Sequence, residues 1–244
     1  MKMLNKIMAA LSYPIRKCVQ HELIQHEVRT QHRHVFRSNL EMELKRRATA
    51  SSADYVLSHM KNVPSVATVE EMLKTAFAAV EDVPGKLVCE FGVHQGRTIN
   101  IIASLTPQTV YGFDSFEGLP EGWYGKYKKG HFAVERLPEV RANVRLIKGW
   151  FDETLPGFVK EHPEPLSFLH VDCDLYSSTV TIFNELERQI QPGCVIVFDE
   201  YFNYPGWEEG EYKAFQEFVQ RTGLKYEYLA YSRLYEQVAV KITG

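Results

Sequence analysis

The chain has 244 residues, 45% hydrophobic and 24% charged, values that exclude collagen-like, low-complexity and disulfide-scaffold proteins. Lys and Arg number 28 against 31 Asp and Glu, and a net charge of -3 gives no sign of a nucleic-acid binder. The near-neutral total hides an asymmetry: residues 1–50 hold ten Lys/Arg and four Glu, so a basic arm precedes a body with 18 basic and 27 acidic residues.

Residues 4–47 contain no Gly and one Pro, and Val19, Leu23, Ile24, Val28, Val35, Leu40 and Leu44 fall closer to helical than to strand spacing. The arm, residues 1–50, therefore reads as a basic helical extension. Its histidines His21, His26, His32 and His34 include no i, i+4 pair, so a solvated or partner-facing helix is expected there and not a metal site. The apolar stretch Ile7 to Leu11 is far shorter than the roughly 20 residues of a membrane span, and no small-residue cleavage signal follows it. Cys18, Cys89, Cys173 and Cys194 stand apart without a CxxC pair, the pattern of reduced thiols. A cytoplasmic protein with no transmembrane segment and no zinc site is expected.

Ala48 to Asp54 is small and polar and reads as a hinge before a main domain at 51–244. Val69, Met72, Leu73, Ala76, Phe77 and Val80 then predict an amphipathic helix. Beyond it, KLVCEF (86–91), TVYGF (109–113), VRLIK (144–148), LSFLHV (166–171) and CVIVF (194–198) are short, β-branched or aromatic runs that predict buried parallel strands. Helical patterns at 98–105 and 178–190 supply crossovers. After a helix at 211–222, KYEYLAY (225–231) and YEQVAVKI (235–242) are three residues apart, which permits only antiparallel pairing. The fold class is thus α/β: a Rossmann-like, doubly wound, mostly parallel seven-stranded sheet with a C-terminal antiparallel hairpin, the arrangement of class I methyltransferases, plus the N-terminal helical extension.

The chemically distinctive residues follow the C-terminal ends of predicted strands, where open α/β sheets bind ligands. In Glu90-Phe91-Gly92-Val93-His94-Gln95-Gly96 the two glycines permit a tight turn, but His94 stands where a dinucleotide loop needs glycine. Glu90 suits a cationic ligand such as S-adenosylmethionine and would repel a phosphate. Asp114, at the end of the second strand, is placed to accept hydrogen bonds from ribose hydroxyls. Gly149 and Trp150 offer backbone and an indole to a flat ring; Trp150 as plain core is equally compatible with the sequence. Asp172-Cys173-Asp174 and Asp199-Glu200 end neighbouring strands, and clustered acids must shift their pKa values or share a cation. Oxygen-only ligands favour Mg2+. Asp174 or Ser177 serves equally as the N-cap of the next helix.

The strings EFGVHQGRTIN, VYGFDSFEGLPEGW, LIKGWFDETLP, LHVDCDLYSST and IVFDEYFNYPGW resemble, in order and spacing, the metal-dependent sugar O-methyltransferases of the macrocin and mycinamicin type, related to the novobiocin-pathway enzyme. The resemblance is close from Val88 to about Gly206 and looser in the hairpin. It implies S-adenosylmethionine against Glu90, Gly92, Gly96, Asp114 and Ser115, and Mg2+ held by Asp172, Asp199 and Glu200, with Asp172 also a candidate base. Together with the residue-level reading, the expected cofactor contacts are Glu90, Gly92, Val93, Gly96, Asp114, Ser115, Gly149, Trp150 and Asp172. Two positions depart from the family pattern: Glu200 stands where members carry Asp, and His94-Gln95-Gly96 replaces Trp-Arg-Gly.

Such an enzyme must hold a nucleophilic oxygen in line with the sulfonium methyl and remove its proton. A divalent ion can bind two neighbouring hydroxyls, so a vicinal diol of a sugar or glycoside is the expected acceptor. A catechol acceptor, or a methyltransferase-like module that only binds, are the alternatives. The insertion at about 116–141 carries Trp123, Tyr124, Tyr127, three lysines and His131, and reads as a lid over the acceptor, with His131 a second candidate base. The basic arm is expected to mediate self-association or to cover the pocket.

Overall fold

A computed structural model describes residues 39–81 and 85–244 of the chain. The expected arm helices before residue 39 lie outside the described residues. The first described element is helix α1 (Leu40–His59), opened by Asn39, whose side-chain oxygen accepts the Met42 N–H at 3.2 Å, with Glu41 and Glu43 in its first turn. It runs without interruption through Ala48–Asp54, so the expected hinge is helix. The serines that suggested a hinge are tied down instead. Ser51 and Ser52 bond back to the Ala48 carbonyl, and their hydroxyls also accept the Trp207 indole N–H at 2.9 Å and the Asn203 N–H at 2.8 Å. Tertiary bonding outweighs local propensity here.

Strand β1 (Ser65–Val66) leads to helix α2 (Val69–Phe77), which is capped by Thr68 and buries Met72, Leu73 and Ala76. Then follow β2 (Leu87–Phe91), α3 (Arg97–Leu105), β3 (Val110–Asp114), β4 (Val144–Lys148), α4 (Phe151–Glu161), β5 (Leu166–Val171), α5 (Tyr176–Glu185), β6 (Val195–Phe198), a short 3-10 turn (Trp207–Glu209), α6 (Glu211–Thr222), β7 (Tyr226–Ser232) and β8 (Val238–Ile242). The sheet order is β1-β7-β8-β6-β5-β2-β3-β4, and only β8 runs against its neighbours β6 and β7. The eighth strand beyond the seven expected is β1, two residues long and paired parallel to β7.

Side-chain alternation splits the core between the two faces of the sheet. Leu87, Cys89 and Phe91 of β2, with Ile196 and Phe198 of β6, pack on one side against α4, α5 and α6. Val88, Phe168, Val195 and Val197 pack on the other against α2 and α3. Each fully buried Phe or Ile of these layers contributes about 1.5–3 kcal/mol. Cys89, Cys173 and Cys194 are buried free thiols. Among the described residues no helix is long and apolar enough to cross a membrane.

Candidate active site

Five adjacent strands, β4, β3, β2, β5 and β6, end at one edge of the sheet, and the residues that follow β2, β5, β6 and β4 extend the ladder by one bond each. The Gly92 N–H bonds the Phe113 carbonyl at 2.9 Å, Asp172 bonds Phe91 at 2.9 Å, Asp199 bonds Val171 at 2.8 Å, and Gly149 bonds Asp114 at 3.0 Å. Above this edge lies a cavity of about 500 Å³, and Gly92, Asp114, Ser115, Trp150, Asp172 and Glu200 line it.

The glycine loop is built for close approach. Gly92 has φ +94°, and a Cβ there would lie 1.6 Å from the Asp172 carbonyl oxygen. Gly96, in the left-handed region, is the N-cap residue before α3. His94, Phe116, Phe132 and Asp174 also have positive φ and lie in loops around the cavity, strain of the kind that gathers at functional sites. Asp114 accepts the His94 N–H through Oδ2 and the Phe116 N–H through Oδ1, both at 2.7 Å, so its carboxylate is fixed from two loops. Ser115 is buried and its hydroxyl accepts the Glu117 N–H. Glu90, expected to touch the cofactor, is fully buried and does not line the cavity; it accepts from the Thr98 hydroxyl at 2.6 Å. Val93 points into the core, and neither it, Gly96 nor Gly149 lines the cavity.

Asp172, Asp199 and Glu200 each present an oxygen within 4.8 Å of the others. Burial, with Asp199 alongside, pushes the Asp172 carboxyl well above the usual carboxylate range, and burial with Asp174 nearby does the same to Glu200. Asp174 is pushed up to about 7 by burial and Asp199. Glu200 Oε2 is buried without a hydrogen-bond partner. An orphaned buried oxygen among mutually repelling acids fits a hard divalent cation, so the donor set suits Mg2+. Asp174 does not cap α5: the N-cap position is Leu175 and has no side-chain cap bond.

The insertion at 116–141 contains no helix or strand but is closed on itself. Leu119 bonds across it in both directions, its N–H donating to the His131 carbonyl and its carbonyl accepting the Gly130 N–H. The insertion is docked at several points, with the Asn100 side chain of α3 donating to the Glu139 carbonyl at 3.0 Å and accepting the Arg141 N–H at 2.8 Å. Trp123 and Tyr124 pack on Tyr204 at 5.6 and 5.4 Å, and Glu121 accepts the Ser177 hydroxyl at 2.6 Å. Leu119, Pro120 and Phe132 give the cavity an apolar wall. His131 is exposed, its ring against Tyr127 and Phe132, and does not line the cavity.

With this geometry in place, the family model of the macrocin O-methyltransferase (TylF) matches residues 3–228. The chain belongs to that family. Over 147 residues it is 32% identical to the 8-demethyl-8-(2,3-dimethoxy-alpha-L-rhamnosyl)-tetracenomycin-C 4'-O-methyltransferase of Streptomyces olivaceus, covering 50% of this chain and 54% of that one. Over 160 residues it is 30% identical to the demethyldecarbamoylnovobiocin O-methyltransferase of Streptomyces niveus, covering 54% and 60%. The matched region thus spans little more than half the length of these curated relatives. Among solved structures, CalS11, a calicheamicin methyltransferase also described as a TDP-rhamnose 3'-O-methyltransferase, has a TM-score of 0.56 at 22% identity, over 84% of this chain and 93% of that one. The O-methyltransferase NovP has a TM-score of 0.52 at 25% identity, over 71% and 80%. The fold is that of the class I methyltransferases.

In this macrocin O-methyltransferase family member two site residues escape sequence reading. His170 looks like an ordinary strand residue in LSFLHV, yet it is fully buried, paired in register with Glu90, and sits 3.8 Å from both Glu90 Oε1 and Asp199 Oδ1. Burial opposes charging its ring, but Asp199 and Glu90 raise its pKa well above the ordinary histidine value. Glu211 reads as the first residue of an amphipathic helix, yet it is fully buried behind the acidic cluster. The signal available in the sequence was polarity within an apolar run.

Proposed function

We propose that this family member transfers the methyl group of S-adenosylmethionine to a hydroxyl of a sugar or glycoside, with Mg2+ held at Asp172, Asp199 and Glu200. The observation that carries the reading is that Asp172 and Glu200 line the cavity that also holds Gly92 and Asp114, and that Asp199, outside the lining, still presents an oxygen within 4.8 Å of both. One cavity therefore offers a seat for a nucleoside and a seat for a hard cation. When bound, S-adenosylmethionine supplies an electrophilic methyl group and Mg2+ supplies polarisation of a hydroxyl oxygen.

The remaining work falls to the chain. Each Asp114 oxygen, already holding one N–H, keeps a lone pair for a ribose hydroxyl. Gly92 leaves room above the end of β2, and Trp150 lines the cavity. Asp172 faces the cavity and accepts the acceptor hydroxyl's proton; His131, off the cavity wall, is left without that role. The apolar wall of the insertion excludes water and acts as the lid. The names of the relatives, which specify rhamnosyl and TDP-rhamnose substrates, support a sugar over a catechol. A vicinal diol suits a cation bound on one side only. Buried free thiols suit a cytoplasmic setting.

The test is a panel of glycosides, nucleotide sugars and catechols with detection of S-adenosylhomocysteine, with and without EDTA. Turnover of a sugar that EDTA abolishes is the expected result. Failure of the pure protein to bind S-adenosylmethionine in a calorimeter leaves the module alternative and ends this one.

A further inference from the structure

Glu211 is a fully buried acid that the proposed chemistry leaves without a role. Burying a carboxylate is costly unless hydrogen bonds compensate. Its two oxygens are divided between two loops: Oε1 accepts the Cys173 N–H at 3.4 Å and Oε2 accepts the Glu200 N–H at 3.2 Å. Cys173 follows Asp172 on the loop after β5, and Glu200 follows Asp199 on the loop after β6. The last ladder bond joining these strands is that from Asp199 to Val171. Beyond it, among the described residues, the two loops share no main-chain hydrogen bond, and the Glu211 side chain spans the gap.

The carboxylate is itself held in place. Glu211 is the first residue of α6; burial pushes its carboxyl well above the usual carboxylate range, and the Glu200 and Cys173 N–H groups act against that push. Gly210 before it is seated so closely that a Cβ would lie 2.0 Å from the Tyr204 hydroxyl, and Tyr204 belongs to the loop after β6. Phe215 and Phe218, one and two turns along, are buried in the core and anchor the helix.

We propose that Glu211 is a positioning residue that sets the spacing between Asp172 on one loop and Asp199 and Glu200 on the other, so that three acids meet at one cation. The proposal rests on the reading of those acids as a Mg2+ site. Glu211→Gln keeps the shape but turns one acceptor into an N–H that faces another N–H, releasing one of the two loops. Phe215→Leu, in the same helix, is a control that weakens packing and leaves the clamp in place.

Full-length wild type, Glu211→Gln and Phe215→Leu are each titrated calorimetrically with Mg2+ and, separately, with S-adenosylmethionine, and their melting temperatures are recorded. Glu211→Gln is expected to bind Mg2+ about tenfold more weakly or worse while its cofactor affinity stays within about twofold. Phe215→Leu is expected to melt lower and to keep both affinities. Should Glu211→Gln fail to fold, Glu211→Asp, one methylene too short to reach both N–H groups, carries the same expectation. Wild-type Mg2+ affinity in either Glu211 variant, or an equal loss in Phe215→Leu, overturns the proposal. Wild type that takes up no Mg2+ overturns the metal reading together with this one.

Discussion

Replacing Gly92 by Ala places a methyl group where the main chain of the next crest already lies. The added carbon would be 1.6 Å from the Asp172 carbonyl oxygen and 2.6 Å from its carbonyl carbon. Non-bonded carbon atoms settle at about 3.5 Å, so the β2 and β5 crests would have to part by roughly 1–2 Å. At φ +94° the backbone also resists any side chain, at a cost of about 1–3 kcal/mol. In a chain of this size each kcal/mol lowers the melting temperature by about 2–4 °C, so strain alone predicts a fall of about 2–12 °C. Displacing Asp172 by about 1 Å predicts a loss of about 100-fold in turnover. The assay pairs a thermal melt with S-adenosylhomocysteine formation on the best acceptor. A Gly92→Ala protein that melts with the wild type and turns over within about threefold of it would refute the close-approach reasoning.

Asp114→Ala strands the His94 and Phe116 N–H groups and removes the acceptor for the ribose; cofactor affinity should fall by roughly 10- to 100-fold, read by calorimetry. EDTA should abolish turnover, Mg2+ should restore it, and Asp199→Asn should raise the Mg2+ concentration needed for half activity by about tenfold or more. Trp123→Ala removes a ring that docks the insertion on Tyr204; the acceptor KM should rise while cofactor affinity is unchanged, and an equal effect on both would speak against a lid. Deleting residues 1–38, which leaves α1 whole, should lower the mass measured by light scattering in solution if the basic arm mediates self-association; an unchanged mass removes that role.

The strands were legible because each is a short apolar run with turn residues at its ends, and observed bounds differ from expectation by a residue or two at most sites; β8 starts three residues late, at Val238, because Tyr235 to Gln237 belong to the turn. Helix α4 was not legible, since Pro156 lies inside it and reads as a stop. The continuous α1 was misread because what holds its serines helical is Asn203 and Trp207, some 150 positions away. Strand β1 is too short to carry a pattern. At the site, the strand-end positions of Asp114, Asp172 and Asp199 followed from the α/β pattern itself. His170 and Glu211 did not, because a buried polar residue matters through partners on other elements, and one-dimensional spacing holds no record of them.

Because the crest residues are bound into the sheet by their own main-chain N–H groups, the backbone positions of Gly92, Asp172 and Asp199 do not depend on the identity of the acceptor-facing side chains. The insertion, by contrast, is held by a few loop bonds and by the Trp123 and Tyr124 rings, one edge-on and one stacked against Tyr204. On the proposed reading the sheet edge is a fixed tool-holder and the insertion an exchangeable jaw. On that reading, a lineage that needs a new acceptor can rewrite 116–141 between its closure points and keep the sheet-edge residues intact. Substrate range and cofactor use can then diverge at different rates within one chain.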